Sequence, residues 1–129
     1  MKLLLDTNVL LWVLLDELEI QKRARQSLNQ NDSTAFVSVV SLWEIAIKQS
    51  TGKLKLPGQA SAWLTPAVED SNIEILPLAP AHATGVSDLP WHHRDPYDRL
   101  IIVQAQMEKM TVITRDRHFH LYGIAVLDA

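Results

Sequence analysis

Apolar positions along the chain fall into short unbroken runs and longer periodic ones, and the two kinds alternate. Leu3-Leu4-Leu5 is a run with no polar alternation, the pattern of a strand buried on both faces. Asp6-Thr7-Asn8 interrupts it, and Val9 to Leu15 resumes at helical length. Between Glu17 and Asn29, Ile20, Ala24 and Leu28 recur every fourth residue, predicting a second helix. After the polar turn Asn29 to Ser33, the stretch Thr34 to Val39 is rich in β-formers and predicts a second strand. A helix is expected from Ser41 to about Ser50, with Gly52 as its C-terminal cap. Lys53 to Pro57 reads as an extended link.

A helix from Gln59 to Asp70 and a third strand, Ile73 to Leu78, follow, with prolines closing the strand. Ala81 to Ser87 reads as a short helix, and Leu89 to Arg94 as a loop. Pro96 to Lys109 predicts a long helix, since proline suits a first turn and Leu100, Ile101, Val103 and Ala105 supply a buried side. Thr111 to Thr114 and Ile124 to Leu127 are the last two expected strands. Strands that alternate with helices imply a parallel sheet covered on both faces. With 129 residues and no repeat, low-complexity run or linker, one domain spanning 1–129 is expected.

Composition narrows the chemistry. There is no cysteine, which removes disulfides and thiolate metal sites. Only three leucines separate Lys2 from Asp6, so no secretory leader is expected, and no run approaches the ~18 apolar residues of a membrane span. The net charge of −3 confines any phosphate-binding surface to a local patch.

The acids supply that chemistry. Asp6 follows the first strand, Glu44 opens the helix after the second, Asp95 and Asp98 start the long helix, and Asp116 follows the fourth strand. In a parallel α/β sheet, strand ends and helix starts share one edge, where ligands bind. Each acid also has a purely structural reading. Asp6, Thr7 or Asn8 can cap the next helix; Ser41-x-x-Glu44 matches a capping box; Asp95 before Pro96 is a good cap; Asp98 suits the helix dipole. Converging carboxylates repel one another, and a hard divalent cation offsets that repulsion far better than helix dipoles do. Mg²⁺ and Mn²⁺ favour carboxylate and water oxygens, and such an ion activates water and stabilises a phosphoryl group under attack. Arg94, Arg99 and Arg115, with Arg117, are candidates for substrate phosphates or for ion pairs. His92-His93 and His118-x-His120 can be read as metal ligands, but their spacing is poor for a helical zinc site, and solvated surface residues are the expected reading. Trp12, Trp43 and Trp63 are expected in the core or at a subunit contact, and Trp91 in a loop near the acids.

The segments LLLDTNVLLW, SLWEIAIK, HHRDPYDRLIIVQA and VITRDRHF resemble, in order, the motifs of PIN-domain proteins. They are most similar to the VapC-type ribonuclease toxins of bacterial toxin–antitoxin pairs, over residues 2–127. The resemblance implies a three-layer α/β/α sandwich with a mainly parallel sheet. It implies a Mg²⁺- or Mn²⁺-dependent endoribonuclease of the prokaryotic cytoplasm, which dimerises and is silenced by a cognate antitoxin. Asp6, Glu44, Asp98 and Asp116 match the family's acids. Asp6, Asp98 and Asp116 would hold the metal, with Glu44 on a metal or on the attacking water. Asp95 is an additional carboxylate, and Thr114 matches a supporting hydroxyl.

Two other classes compete. A phosphotransfer enzyme would use Asp6 as a phosphorylated nucleophile, but a dehalogenase-like motif wants an acid where Asn8 stands. A receiver domain wants paired acids before its first helix and a lysine after a late strand, and neither is present. A binding module would hold RNA or protein on the same fold without cutting it, against which the complete set of acids speaks.

Overall fold

The computed structural model describes residues 1–15 and 22–129. Five strands form one sheet: β1 (Lys2–Leu5), β2 (Thr34–Ser38), β3 (Ile73–Leu76), β4 (Thr111–Thr114) and β5 (Val126–Asp128). Every pairing is parallel and the order is β3-β2-β1-β4-β5. β1 is therefore central, as its unbroken leucines require. Leu3 and Leu5 point into one core with Val9, Leu10, Val37, Ile45, Leu64, Val68 and Ile113. Leu4 points into the other with Ile101, Ile102, Val103, Val112 and Phe119. Each of these fully buried leucines contributes about 1.5–3 kcal/mol by leaving water.

The first core is covered by α1 (Thr7–Leu14), α2 (Lys22–Leu28), α3 (Val39–Ser50) and α4 (Ala60–Asp70). The second is covered mainly by α6 (Pro96–Glu108), with the shorter α5 (Pro80–Gly85) packed on it and a 3-10 segment, Arg117–Tyr122, at its end. This is the expected three-layer α/β/α sandwich.

Strand order reverses at β1. The chain steps outward through β2 and β3, then returns to lay β4 and β5 on the other side. Such a switch point opens a crevice at the carboxyl ends of the two diverging strands. Here those are β1 and β4, which end next to each other: Leu5 pairs with Ile113, and the Asp6 N–H donates to the Ile113 carbonyl at 3.1 Å.

Several boundaries differ from expectation for local reasons. The start expected at Glu17 for the second helix lies outside the described residues, and Lys22–Leu28 is helical as expected. β3 stops at Leu76, before Pro77, which has no N–H to continue a ladder. The last strand starts at Val126 rather than Ile124, after Gly123 turns the chain at φ +68°. The largest difference is at α3. Ser38 is its cap, with extended backbone and its Oγ accepting the Val40 N–H at 3.0 Å, so the helix begins at Val39. The Ser41–Glu44 capping box does not form. Both residues sit further into the helix, three apart on one face, where they turn toward the start of α1.

Candidate active site

Asp6 serves two neighbours at once. It caps α1, its Oδ1 accepting the Val9 N–H at 2.9 Å. Its Oδ2 accepts a hydrogen bond from the Thr114 hydroxyl at the end of β4, and that hydroxyl in turn accepts the Asp116 N–H at 3.0 Å. Thr114 thus ties the two strand ends together.

Glu44 is almost fully buried. Its Oε1 lies 2.7 Å from the Thr7 hydroxyl, which also meets Ser41 at 2.9 Å. Its Oε2 is paired with Lys48 Nζ at 2.6 Å, one turn further along α3. Asp95 caps α6, its Oδ1 accepting the N–H groups of Tyr97 at 2.8 Å and Asp98 at 3.1 Å. Replacing Asp95 by Asn should preserve this cap, while Ala should cost about 1 kcal/mol in a denaturant midpoint measurement. Asp98 lies in the first turn, half-buried, with Oδ2 at 2.9 Å from His93 Nε2.

His93 departs from its expected place in solvent. Its side chain is 12% exposed and its Nε2 lies 2.9 Å from both Asp98 Oδ2 and Asp116 Oδ2. Its Nδ1 faces the Asp95 N–H at 3.3 Å, which puts the ring proton on Nε2, aimed at the two carboxylates. The Tyr122 hydroxyl accepts the His93 main-chain N–H at 2.7 Å, and Phe119 meets the ring edge-on. His118 is exposed, as expected, yet its Nδ1 is 2.7 Å from Asp116 Oδ1. His92 and His120 are surface residues, His120 pairing with Asp128.

Asp6, Glu44, Asp95, Asp98 and Asp116 line one open pocket of about 450 Å³, with Thr7, Asn8, Lys48, His93 and Arg115 also on its walls. Burial, followed by the charges of Asp95, Asp6, Glu44 and Asp116, pushes the Asp98 carboxyl from 3.8 up to about 8. Burial also raises Asp6, although hydrogen bonds from Thr114 and Val9 oppose it. Asp116 moves the other way. Its partial burial works to raise it, but hydrogen bonds from the His118 backbone and ring and from His93 outweigh that and hold it below 3.8. Lys48 is raised, chiefly by its hydrogen bond to Glu44.

The arginines separate into different roles. Arg99 is 5% exposed, and its guanidinium donates to the carbonyls of Pro90, His93, Val86 and Leu89 at 2.9–3.2 Å while Trp91 covers it at 3.7 Å. It holds the 86–93 loop against α6, and the earlier expectation of a phosphate contact does not stand for it. Arg99→Lys should therefore be strongly destabilising, because an ammonium cannot reach four carbonyls in the plane of a fork; a loss of about 2 kcal/mol or more in urea unfolding is expected. Arg94 is exposed. Arg115, on the pocket wall, donates to the Ala129 carbonyl and lies over Trp12 at 4.4 Å. Trp12 and Trp63 pack against the first core, whereas Trp43 is 57% exposed and meets Tyr97 edge-on at 5.3 Å.

Thr7, Lys48 and His93 were not among the residues singled out for the site. Lys48 had a signal, since Glu44 and Lys48 are four apart on one helix. His93 had a signal too, since it opens the His93-Arg94-Asp95-Pro96 segment of the family motif.

The family model for the PIN domain matches residues 3–124. The chain belongs to the PIN-domain family. Its fold is shared by VapBC2 from Rickettsia felis, solved bound to a DNA fragment from the promoter, at 19% identity and a TM-score of 0.74, covering 99% of this chain and 98% of that one. DNA-bound VapBC from Salmonella typhimurium is 24% identical with a TM-score of 0.71, again covering 99% and 98%. The PIN domain endonuclease Utp24 is 17% identical with a TM-score of 0.57, covering 99% of this chain and 84% of that one. No curated protein sequence matches the chain significantly. Among the described residues, no helix of this PIN domain is long and apolar enough to cross a membrane.

Proposed function

We propose that this PIN domain is a metal-dependent endoribonuclease, the toxin of a toxin–antitoxin pair in a prokaryotic cytoplasm, and that residues 1–129 act as one domain. The observation that carries the reading is the convergence of Asp6, Glu44, Asp98 and Asp116 on one pocket at the switch point of the sheet. Burial, and after it the charges of Asp95, Asp6, Glu44 and Asp116, raise the Asp98 carboxyl, and a bound cation would relieve both costs. An all-oxygen set of this kind fits Mg²⁺ or Mn²⁺. When bound, the ion would activate water and offset charge on the phosphoryl group.

The chain's own residues do the rest. Asp6, Asp98 and Asp116 would hold the ion. Thr114 keeps Asp6 and Asp116 in fixed relation, and Asp95 fixes the start of α6 so that Asp98 enters the pocket. Glu44, paired with Lys48, would contact the ion or orient the attacking water. Arg115, on the pocket wall, and Arg94, exposed in the loop before α6, are the arginines this reading assigns to flanking phosphates of RNA. A homodimer and a cognate antitoxin complete the reading; resemblance to VapC-type toxins and the VapBC folds support it. An antitoxin arginine among the carboxylates would silence the site most directly.

The test is cleavage of total RNA by the purified protein with Mg²⁺ and with EDTA, paired with expression in a bacterial host. Metal-dependent fragments and growth arrest are expected. Intact RNA with soluble protein and normal growth would leave a non-cleaving binding module instead.

A further inference from the structure

His93 and Asp116 on the pocket wall, with the exposed His118 next to Asp116, form a cluster whose chemistry is unlike the rest. His93 Nε2 and His118 Nδ1 approach the two oxygens of one carboxylate, at 2.9 Å from Oδ2 and 2.7 Å from Oδ1. One ligand atom from each residue lies within 4.8 Å of the other two. The two imidazoles face each other with centroids 4.6 Å apart and planes 32° from parallel. In a tetrahedral zinc site with Zn–N of about 2.0–2.1 Å, neighbouring ligand atoms stand roughly 3.3 Å apart, so the three donors need only small movements to surround an ion.

We infer that His93, Asp116 and His118 form a site for a borderline divalent ion such as Zn²⁺, distinct in metal preference from the all-carboxylate set beside it. Imidazole nitrogen suits Zn²⁺ and Co²⁺, whereas Mg²⁺ takes oxygen. Two ligands are rigidly supplied. His93 is fixed by Tyr122, Phe119 and Arg99, and Asp116 by the Thr114 hydroxyl and the His118 N–H. His118 is exposed at the rim, which gives an ion a route in from solvent and leaves room for water to complete its shell. Binding through Nε2 moves the His93 proton to Nδ1 and ends the long 3.3 Å contact from the Asp95 N–H. Because Asp116 belongs to both sets, an ion held by the imidazoles withdraws that carboxylate from the hard-ion site.

The experiment is titration of the tag-free protein with Co²⁺, read by visible absorption and calorimetry without RNA, so its outcome is independent of whether the chain is a nuclease. One Co²⁺ per chain with the visible bands of a low-symmetry nitrogen-containing shell is expected. The bands should survive excess Mg²⁺ and bleach with Zn²⁺. His93→Ala and His118→Ala should each weaken Co²⁺ binding by more than the ~10–100-fold typical of losing only a supporting residue. His120→Ala should leave the spectrum unchanged. Thermal melts should show His118→Ala folded, as an exposed side chain allows. A Co²⁺ spectrum and affinity unchanged in His118→Ala, loss of the bands in His120→Ala, or displacement of Co²⁺ by Mg²⁺ at comparable concentration would overturn the assignment.

Discussion

Asp98→Asn is expected to fold, to melt higher than the wild-type chain in metal-free buffer at neutral pH, and to lose RNA cleavage. Burial and four neighbouring carboxylates raise the Asp98 carboxyl from 3.8 to about 8. A carboxyl raised in the folded state favours folding while it is protonated. Its contribution is fully present below the unfolded value, 3.8, and is lost as pH rises through about 8. Metal-free wild-type protein should therefore lose stability across that interval, by an amount on the order of a few kcal/mol. Asparagine is neutral throughout and can still accept from His93 Nε2, so the variant's stability should vary less with pH. Added Mg²⁺ should reverse the wild-type trend, because the ion binds the ionised carboxyl and releases its proton. Cleavage should fall by more than ~100-fold, since loss of a ligand exceeds the usual cost of losing a supporting group. Melting curves over pH with and without Mg²⁺, beside cleavage rates, check every part. A variant that is pH-sensitive like wild type would remove Asp98 as the source, and one that cuts at the wild-type rate would remove it from the site.

The layout of the fold was legible because it rests on unbroken apolar runs. Leu3 to Leu5 can be satisfied only by a strand with cover on both sides, and it became the central strand. The convergence of the acids followed from the same fact, since parallel strands bring their ends to one edge. What was not legible depended on choices between nearby residues of equal propensity. Val39 and Val40 favour a strand, yet Ser38 captures the Val40 N–H and starts the helix there. That moves Glu44 out of the first turn and makes its partners Thr7 and Lys48, contacts that span a crossover and have no local pattern for Thr7. Arg99 was misjudged for a related reason. A helix period marks which face is buried but not that a charged residue on that face will find four carbonyls. His93 is invisible to periodicity altogether, because a loop folded back by Arg99 and Tyr122 delivers it.

The corrected position of Glu44 makes its own test sharper. With no capping box, Glu44→Gln cannot be silent or damaging through a cap, and what it changes is confined to Thr7, Lys48 and the pocket. Glutamine keeps an oxygen for the Thr7 hydroxyl. It loses the pair with Lys48, a half-exposed partner one turn away that can turn to water, and such i,i+4 pairs contribute only about 0.3–0.5 kcal/mol. Unfolding midpoints should therefore move little. Cleavage should fall on the order of 100-fold or more if the carboxylate serves the ion or the attacking water. Lys48→Ala provides the opposite arm. Lys48 holds Glu44 Oε2 at 2.6 Å and offsets part of the pocket's charge, so its removal should tighten Mg²⁺ binding while Glu44→Gln weakens it. Calorimetric Mg²⁺ titrations of the two variants should shift in opposite directions from wild type. If Glu44→Gln kept both its Mg²⁺ affinity and its cleavage rate, the buried glutamate would be a brace between α1 and α3, and the three aspartates would hold the ion without it.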